Sequence, residues 1–582
     1  MKKLLVLILA ISLALPITGF AATQEEAMIS ELQKQIADLS EELEDLSDRL
    51  DDTERHATLD RIEFSGDMRY RAHSLHYQDV TFNPGIAVNY DQFGADAMSG
   101  AFGDPTDPNS LIAQMMTAYP GLAQAFMSGQ LQGIGGFPFM IDTNGDGVFD
   151  STYYKKYDLN NDALQDLRLR LNMKAKIWDN VKFSGRLSMF KNFGDSTDVQ
   201  VFDSWNRFTM DATNSANTTS DVLRVDRAYF DWSNIADSGV YLSIGRRPST
   251  GGPPTQYRDG ELRRGTPTGN VMSLNFDGIT IGKHFEDIGL EGFTARFCYG
   301  QGFESEWGNG ELFNNTYTDT KDTHFAGFNV DILNDGINFL QVTAFRAMDI
   351  NDGFKGLIAF PSDYAAIFAP TLWQDMQNFP NFNFVTRVQP STTIGDIDLG
   401  GIVFSREEDN GVNWFLSGGM TVLRPNGNAG MFGGMGSDLV YEVQDVGGML
   451  MPVPTGKGTP TDDETGYGVY VGVQVPAPLG KFGLEYNYGS EWWTPFNQAL
   501  DDPIGSKLAT RGHVGEAYYI FDINPRMFFK LNGIYYDYEY TGSGSPVGKP
   551  QKIDDILDGS AYSMLPAVDT AYSLSATMSM QF

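Results

Sequence analysis

Apolar and polar side chains alternate with a period of two along much of this chain, most regularly in its last stretch. Tyr572, Leu574, Ala576, Met578, Met580 and Phe582 take the even positions, and Ser573, Ser575, Thr577, Ser579 and Gln581 the odd ones. That period marks a β-strand with one greasy and one polar face. The same pattern predicts a first strand over Arg61–Ala72, with Ile62, Phe64, Gly66, Met68, Tyr70 and Ala72 on one side and Glu63, Ser65, Asp67, Arg69 and Arg71 on the other. A hairpin is predicted over Asp166–Lys191: Leu167, Leu169, Leu171, Met173, Ala175 and Ile177 alternate with Arg168, Arg170, Asn172, Lys174 and Lys176. After a tight turn at Trp178-Asp179-Asn180, the apolar face resumes at Val181, Phe183, Gly185, Leu187 and Met189, opposite Lys182, Ser184, Arg186 and Ser188. Charges at every second position require water or partners on that side, because an unpaired charge in a dry core is costly.

Further hairpins are predicted through Asn334-Asp335-Gly336, Asp409-Asn410-Gly411, Pro476–Lys481 and Asp522–Pro525. These short turns alternate with long segments near Leu75–Asp158, Asp349–Pro390, Pro425–Thr465 and Thr541–Val568. Unequal turn lengths and dyad alternation are the signature of an up-and-down membrane barrel, with short turns on one side and long loops on the other. The predicted fold is all-β: a large antiparallel transmembrane β-barrel of about 16–18 strands, wide enough for an aqueous channel unless something fills it.

The first residues differ. Lys2 and Lys3, an apolar run from Leu4 to Ile17 and the small residues before Ala22 read as a secretory signal over residues 1–21. Ile29, Leu32, Ile36, Leu39, Leu43, Leu46, Leu50 and Thr53 then recur at gaps of three and four. Such spacing predicts a short α-helical coiled coil over 22–58, placed in the periplasm, with a barrel over 59–582. One helix cannot bury its own stripe, so a homo-oligomer, a trimer, is expected through the coiled coil.

Composition narrows the partners. The chain has 582 residues, 41 basic and 75 acidic groups, a net charge of -34 and one cysteine, Cys298. A polar average hydropathy excludes a bundle of membrane helices, each of which needs about 20 apolar residues. The acidic balance argues against nucleic acid as a partner. One cysteine makes no internal disulfide, and without Cys-x-x-Cys-His there is no haem attachment.

Basic residues nevertheless gather locally. Arg224, Arg227, Arg246, Arg247, Arg258, Arg263 and Arg264 surround the Gly/Pro-rich run Gly245–Pro254 and Arg264-Gly265-Thr266-Pro267, placed between strands predicted at Val240–Gly245 and Val271–Phe276. An arginine-studded loop folding inward is a candidate constriction, and arginine in a pore favours anions. The alternative is that these arginines pair with lumen carboxylates as structural ladders. The expected lumen-facing set is Arg69, Arg71, Arg168, Arg170, Lys174, Lys182 and Arg186.

The insertion predicted over 75–158 contains an apolar stretch, Leu111–Leu131, and the run Asp142-Thr143-Asn144-Gly145-Asp146-Gly147-Val148-Phe149-Asp150. Oxygen ligands at positions one, three and five, Gly at six, a carbonyl at seven and Asp at nine have the spacing of a Ca2+ loop, with Asp142, Asn144, Asp146, Val148 and Asp150 as ligands. Tyr153 stands where a bidentate acid is expected, and an Asn/Asp/Gly turn cluster is the alternative reading. Catalytic motifs are weak: Gly194-Asp195-Ser196 lacks a matching Asp-x-x-His, and the histidines show no metal-ligand spacing beyond the His73/His76 pair, which a strand points to opposite faces.

The chain end resembles the C-terminal signal, closing on Phe582, that bacterial outer-membrane barrels present to the barrel assembly machinery. The coiled coil, the opening Phe64-Ser65-Gly66-Asp67-Met68-Arg69 strand and the Gly-Arg-Arg-Pro-Ser-Thr segment together resemble an uncharacterised family of porin-like outer-membrane proteins of Gram-negative bacteria. That resemblance covers essentially the mature chain and implies a barrel in outer-membrane lipid, with no substrate attached. The expected function is passive diffusion of small hydrophilic solutes or ions, anion-preferring, without catalysis. The alternatives are a non-conducting barrel, as adhesin or as sheath for a multihaem cytochrome, and an outer-membrane hydrolase.

Overall fold

The computed structural model describes Leu39 and residues 62–82, 155–194, 220–286, 288–305, 320–353, 356–360, 384–388, 392–430, 433–446, 449–497, 500–558, 560–561 and 567–582. The chain divides into two units, Met1–Glu63 and Phe64–Phe582. The signal segment, the coiled coil apart from a helical Leu39, Leu111–Leu131, Asp142–Asp150 and Asp195-Ser196 lie outside the described residues.

Sixteen antiparallel strands close into one barrel. In chain order they are β1 (Ile62–Phe82), β2 (Lys155–Trp178), β3 (Val181–Asn192), β4 (Ser220–Ile235), β5 (Val240–Arg247), β6 (Phe276–His284), β7 (Thr294–Phe303), β8 (Thr323–Asn334), β9 (Asn338–Asn351), β10 (Thr393–Glu407), β11 (Asn413–Pro425), β12 (Glu464–Ala477), β13 (Gly480–Gly489), β14 (Gly512–Asn524), β15 (Met527–Tyr538) and β16 (Thr570–Gln581). The last strand closes on the first, from Asp67 opposite Gln581 to Gln78 opposite Thr570. Connections such as 179–180, 335–337, 478–479 and 525–526 are short, and those at 83–154, 248–275, 490–511 and 539–569 are long. Two long connections carry three two-stranded sheets: 352–392 pairs Gly356–Phe360 with Phe384–Val388, and 426–463 pairs Ala429–Gly430 with Gly433–Gly434 and Leu439–Val446 with Met449–Gly458.

The period of two fixes what each face meets. On β16, Leu574 is exposed while Ser573, Thr577 and Ser579 are buried inside. On β11, Trp414, Leu416 and Met420 face out, and Phe415, Ser417, Thr421 and Leu423 face in. An apolar exterior around a polar-lined wall is the arrangement a bilayer selects for a closed sheet. Exposed Trp178, Trp232 and Trp414 all stand near short-turn ends, as a girdle at one interface does.

Two boundaries differ from the pattern-based expectation. The first strand runs to Phe82 and the second begins at Lys155, so the connection is 83–154 rather than 75–158. In this extension the sense of the alternation reverses. Leu75 and Tyr77 turn inward, into a core shared with Ile504, Val514, Ile534 and Tyr536, and Tyr157, Leu159 and Leu164 pack against it. A search for outward apolar residues therefore stops too early. Likewise Val271–Asn275 is not part of a wall strand; β6 starts at Phe276, and Val271, Met272 and Leu274 are buried within the lumen.

The lumen is filled by the connections 248–275 and 490–511. Thr268 Oγ1 of the first meets Gln341 and Thr343 of β9 at 3.1 Å, while Glu261 of the same connection meets Arg168 and Arg170 of β2 on the opposite wall. Only a segment crossing the interior can touch both. The two connections hold each other through Phe496 N–H to Val271 O at 2.9 Å and Asn497 Nδ2 to Asn270 O at 3.1 Å. Trp493 is fully buried and donates from Nε1 to Leu508 O at 2.8 Å. Its ring lies so close to the wall that a Cβ at Gly419 or Gly468 would come within 2.5 Å of it. Trp493, Phe496, Met272 and Leu274 join Phe325, Phe345, Ile397 and Leu423 in one apolar core that seals this side of the lumen.

Trp493→Ala removes the indole from a site that cannot collapse on two rigid sides. It is expected to cost about 3–5 kcal/mol, read as a lowered urea midpoint of the refolded protein in detergent. An unchanged midpoint contradicts the packing described here.

Candidate functional site

Away from the apolar core, the lumen is ionic. Asp67, Arg69, Arg71 and His73 occupy successive inner positions of β1, and Asp166, Arg168 and Arg170 those of the adjacent β2, so two charged rows lie side by side. Asp166 accepts from Arg69 and from Arg71 Nε, each at 2.9 Å, and also pairs with His73. Asp67 accepts from Arg168 at 3.0 Å and Arg170 at 2.7 Å. Two wall carboxylates cannot neutralise four guanidinium groups, and the loops supply the balance. Glu261 accepts from Arg168 and Arg170, each at 2.8 Å, and Asp501 takes Arg71 at 3.0 Å together with Arg69. Four cations and four carboxylates thus form one buried set, and both inserted connections contribute to it.

Burial alone would raise the Glu261 carboxyl, but Arg170 and Arg168 outweigh it and hold it below the ordinary range. The Asp501 carboxyl is treated likewise: burial pushes up, while Arg69, Arg71 and Arg168 bring it down further. A second set adjoins the first. Arg258, in the short helix α1 (Gln256–Asp259), donates to Asp502 at 2.7 Å and lies 3.1 Å from Glu516. Lys507 bridges Glu516 and Glu485, and Glu485 also accepts from the Tyr470 hydroxyl at 2.6 Å.

The space left between wall and loops is a cavity of about 90 Å³. Arg69, Arg71, Arg168, Arg170, Arg186, Arg258 and Arg264 line it with Glu261 and Asp501, and Ser575, Thr577 and Ser579 form its polar floor. That is room for a few waters or one small ion, against the roughly 300–1,000 Å³ of a ligand pocket. On the short-turn side a wider cup of about 900 Å³ opens, bounded by Asn334, Ile337, Asp522 and Pro525 and by Leu262 and Arg263 at the tip of the inserted connection.

The arginines singled out in the sequence do not act together. Arg258 and Arg264 lie in the lumen, Arg264 2.6 Å from Asp259. Arg263 faces the cup and stacks over the Phe339 ring at 4.5 Å. Arg247 points inward toward Asp231 and over Tyr229. Arg246 is on the outer face, 3.0 Å from its cross-strand neighbour Asp277, because β5 alternates Val240, Leu242, Ile244 and Arg246 outward; it is no constriction residue. Arg224 and Arg227 lie on β4, where the register against β3 shifts between Arg186 and Leu187, so Asp226 and Arg227 both turn inward. Arg186 donates to Asn172 at 2.7 Å and lies 3.4 Å from Asp226. Lys174 and Lys182 keep the inner phase of their strands but are exposed near the 179–180 turn.

Sequence reasoning missed Glu261, Asp501, Asp502 and Lys507. The connection 490–511 has no periodicity, and an Asp-Asp pair in a loop ordinarily reads as a solvated turn.

A family model described as a protein of unknown function (DUF3373) matches residues 158–582. No curated protein matches the sequence. Among solved structures, OmpF of Salmonella typhi in complex with daunomycin aligns at 10% identity over 90% of this chain and 97% of its own, with a TM-score of 0.37. OprB of Pseudomonas putida does so at 9% identity over 91% and 96%, with a TM-score of 0.36. OmpT of Vibrio cholerae aligns at 10% identity over 90% and 97%, with a TM-score of 0.35. Similarity at this level lends no residue a role, and the functional reading rests on the lumen itself.

Asp501→Asn leaves Arg69 and Arg71 sharing one carboxylate, and breaking one partner of a buried set is expected to cost about 3–5 kcal/mol. Because Glu261 and Asp501 titrate below their unfolded values, their stabilisation is complete above about pH 4 and lost as pH falls further. Near-ultraviolet circular dichroism of Trp492 and Trp493 should therefore collapse below about pH 4 while the strand signal persists. A tryptophan signal unchanged to pH 2 contradicts the assignment.

Proposed function

The chain belongs to the DUF3373 family, proteins of unknown function, and on that premise we propose from its geometry that it is an outer-membrane channel for small hydrophilic anions. One observation carries the reading: the lumen cavity is lined by more basic than acidic side chains, with Arg69, Arg71, Arg168 and Arg170 from the β1–β2 wall and Arg258 and Arg264 from the inserted connection. A ring of guanidinium groups in a narrow, low-dielectric passage favours anions over cations, whatever the net charge of distant loops. The mechanism is passive diffusion, without catalysis. Solute enters the cup past Leu262 and Arg263, and passage requires the ionic latch at Glu261 and Asp501 to loosen, since about 90 Å³ admits only water or a small ion.

The apolar core built on Trp493 and Phe496 favours a second reading, a permanently closed barrel serving as adhesin or scaffold. A sheath for a threaded partner such as a cytochrome fits less well, because the inserted connections take the space it would need. With the channel we propose the orientation usual for bacterial barrels, short turns in the periplasm, a trimer joined through the N-terminal heptads, and calcium held at Asp142–Asp150.

The refolded protein in a planar bilayer under a salt gradient should give small conductance steps with an anion-selective reversal potential. Asp501→Asn should enlarge the steps, and Arg263→Gln should weaken selectivity. A folded barrel that does not conduct overturns the channel and leaves the closed scaffold.

A further inference from the structure

Among the described residues most buried charges of the lumen are matched by a carboxylate. Arg511 is not, but it donates to the carbonyls of Trp493, Thr541 and Ser545, whereas the β3–β4 junction is short of charge without such acceptors. Arg69, Arg71, Arg168 and Arg170 are matched by Asp67, Asp166, Glu261 and Asp501; Arg258, Lys507 and Lys530 by Asp502, Glu485 and Glu516; Arg264 by Asp259; and Arg296 by Asp331. At the β3–β4 junction two guanidinium groups face each other directly across the ladder, Arg186 opposite Arg227. They have one carboxylate between them. Asp226 serves Arg186 at 3.4 Å and also accepts from Asn275 Nδ2. Arg227 Nε and Nη2 are closed off from solvent and have no hydrogen-bond partner among the described residues.

A guanidinium with two idle buried donors and only a share of one carboxylate is held at a cost, and waters could occupy the donors without supplying the missing charge. The local backbone puts it there. Without the register shift after Arg186, Asp226 and Arg227 would lie on opposite faces; with it, both turn into the lumen. Arg186 and Asp226 both border the 90 Å³ cavity, so a solute in that cavity reaches the junction. Irregularities of this kind re-aim side chains at functional sites.

We infer that Arg227 and Arg186 form a binding site for a small oxyanion group, a carboxylate or phosphate, that supplies the missing negative charge. The guanidinium fork matches two oxygens of either group, and a second guanidinium across the ladder can hold the others. The site rests on the channel reading to the extent that the ligand arrives through the lumen. It gives that channel a station where one class of anion pauses, as conduction through selective pores requires: tight enough to enter, loose enough to leave.

The test is calorimetric titration of the full refolded chain with inorganic phosphate and, separately, with succinate. Saturable binding of at least one probe is expected to the wild type, weakened at least tenfold in Arg227→Gln and partly restored in Arg227→Lys. Unchanged heat-modifiable mobility verifies that each variant is folded, and Arg346→Gln, at an exposed pair with Asp398 away from the lumen, should bind as the wild type does. Binding of phosphate alone or succinate alone identifies the oxyanion. Wild-type protein that binds neither overturns the inference even if it conducts, and so does an Arg227→Gln barrel that binds as tightly as the wild type. A barrel that binds a probe but never conducts retains the site and refutes the channel.

Discussion

Charge neutrality in the lumen is the constraint on which this barrel depends. Rows of arginine on β1 and β2 cannot stay in a confined interior without counter-charges, and their own strands provide two carboxylates for four cations. Glu261 and Asp501 complete the set from two different connections. The wall therefore specifies where the loops dock, and the docked loops make the wall tolerable. Ionic contacts of this kind contribute less to net stability than their number suggests, but they penalise every alternative position of the loops.

Packing and charge divide the interior between them. Around β8–β12, Trp493, Phe496, Met272 and Leu274 make a dry, close-packed core whose fit depends on wall glycines. Around β1–β4 and β14–β16 the same two connections present acids and arginines around a small polar cavity. One side is sealed by packing, and the other holds the charges around that cavity. Trp493 and Asp501 belong to one connection, so a change that releases the ionic side also loosens the packing of the indole.

The barrel was legible because its rule is local. An apolar residue at every second position identifies a wall strand, and a turn such as Asp409-Asn410-Gly411 marks where it reverses. The same period puts Arg69, Arg71, Arg168 and Arg170 on the polar face, where the structure has them. What the pattern could not supply is what they face. Val271, Met272 and Leu274 read as strand because apolar residues at a strand's start and apolar residues plugging a lumen look alike. Leu75 and Tyr77 fall outside the predicted strand because in this extension the apolar face turns inward. Arg246 and Arg247, adjacent in sequence, lie on opposite faces, a distinction that depends on where β5 begins. Asp501 carries no periodic signal at all, since its partners are fixed by closure of the barrel across 430 residues of chain.

The central claim is that the connections 248–275 and 490–511 lie inside the barrel, and a cross-link between loop and opposite wall tests it most directly. Thr268 Oγ1 stands 3.1 Å from Thr343 Oγ1 of β9. In a Cys298→Ala background, Thr268→Cys with Thr343→Cys should form a disulfide in the folded, heat-modifiable barrel, while Thr268→Cys with a cysteine at Ser575, on the far wall, should not. Free thiols at both positions in a correctly folded barrel would contradict the account, because the connection would then lie outside the lumen and the arginines of β1 and β2 would face an open channel.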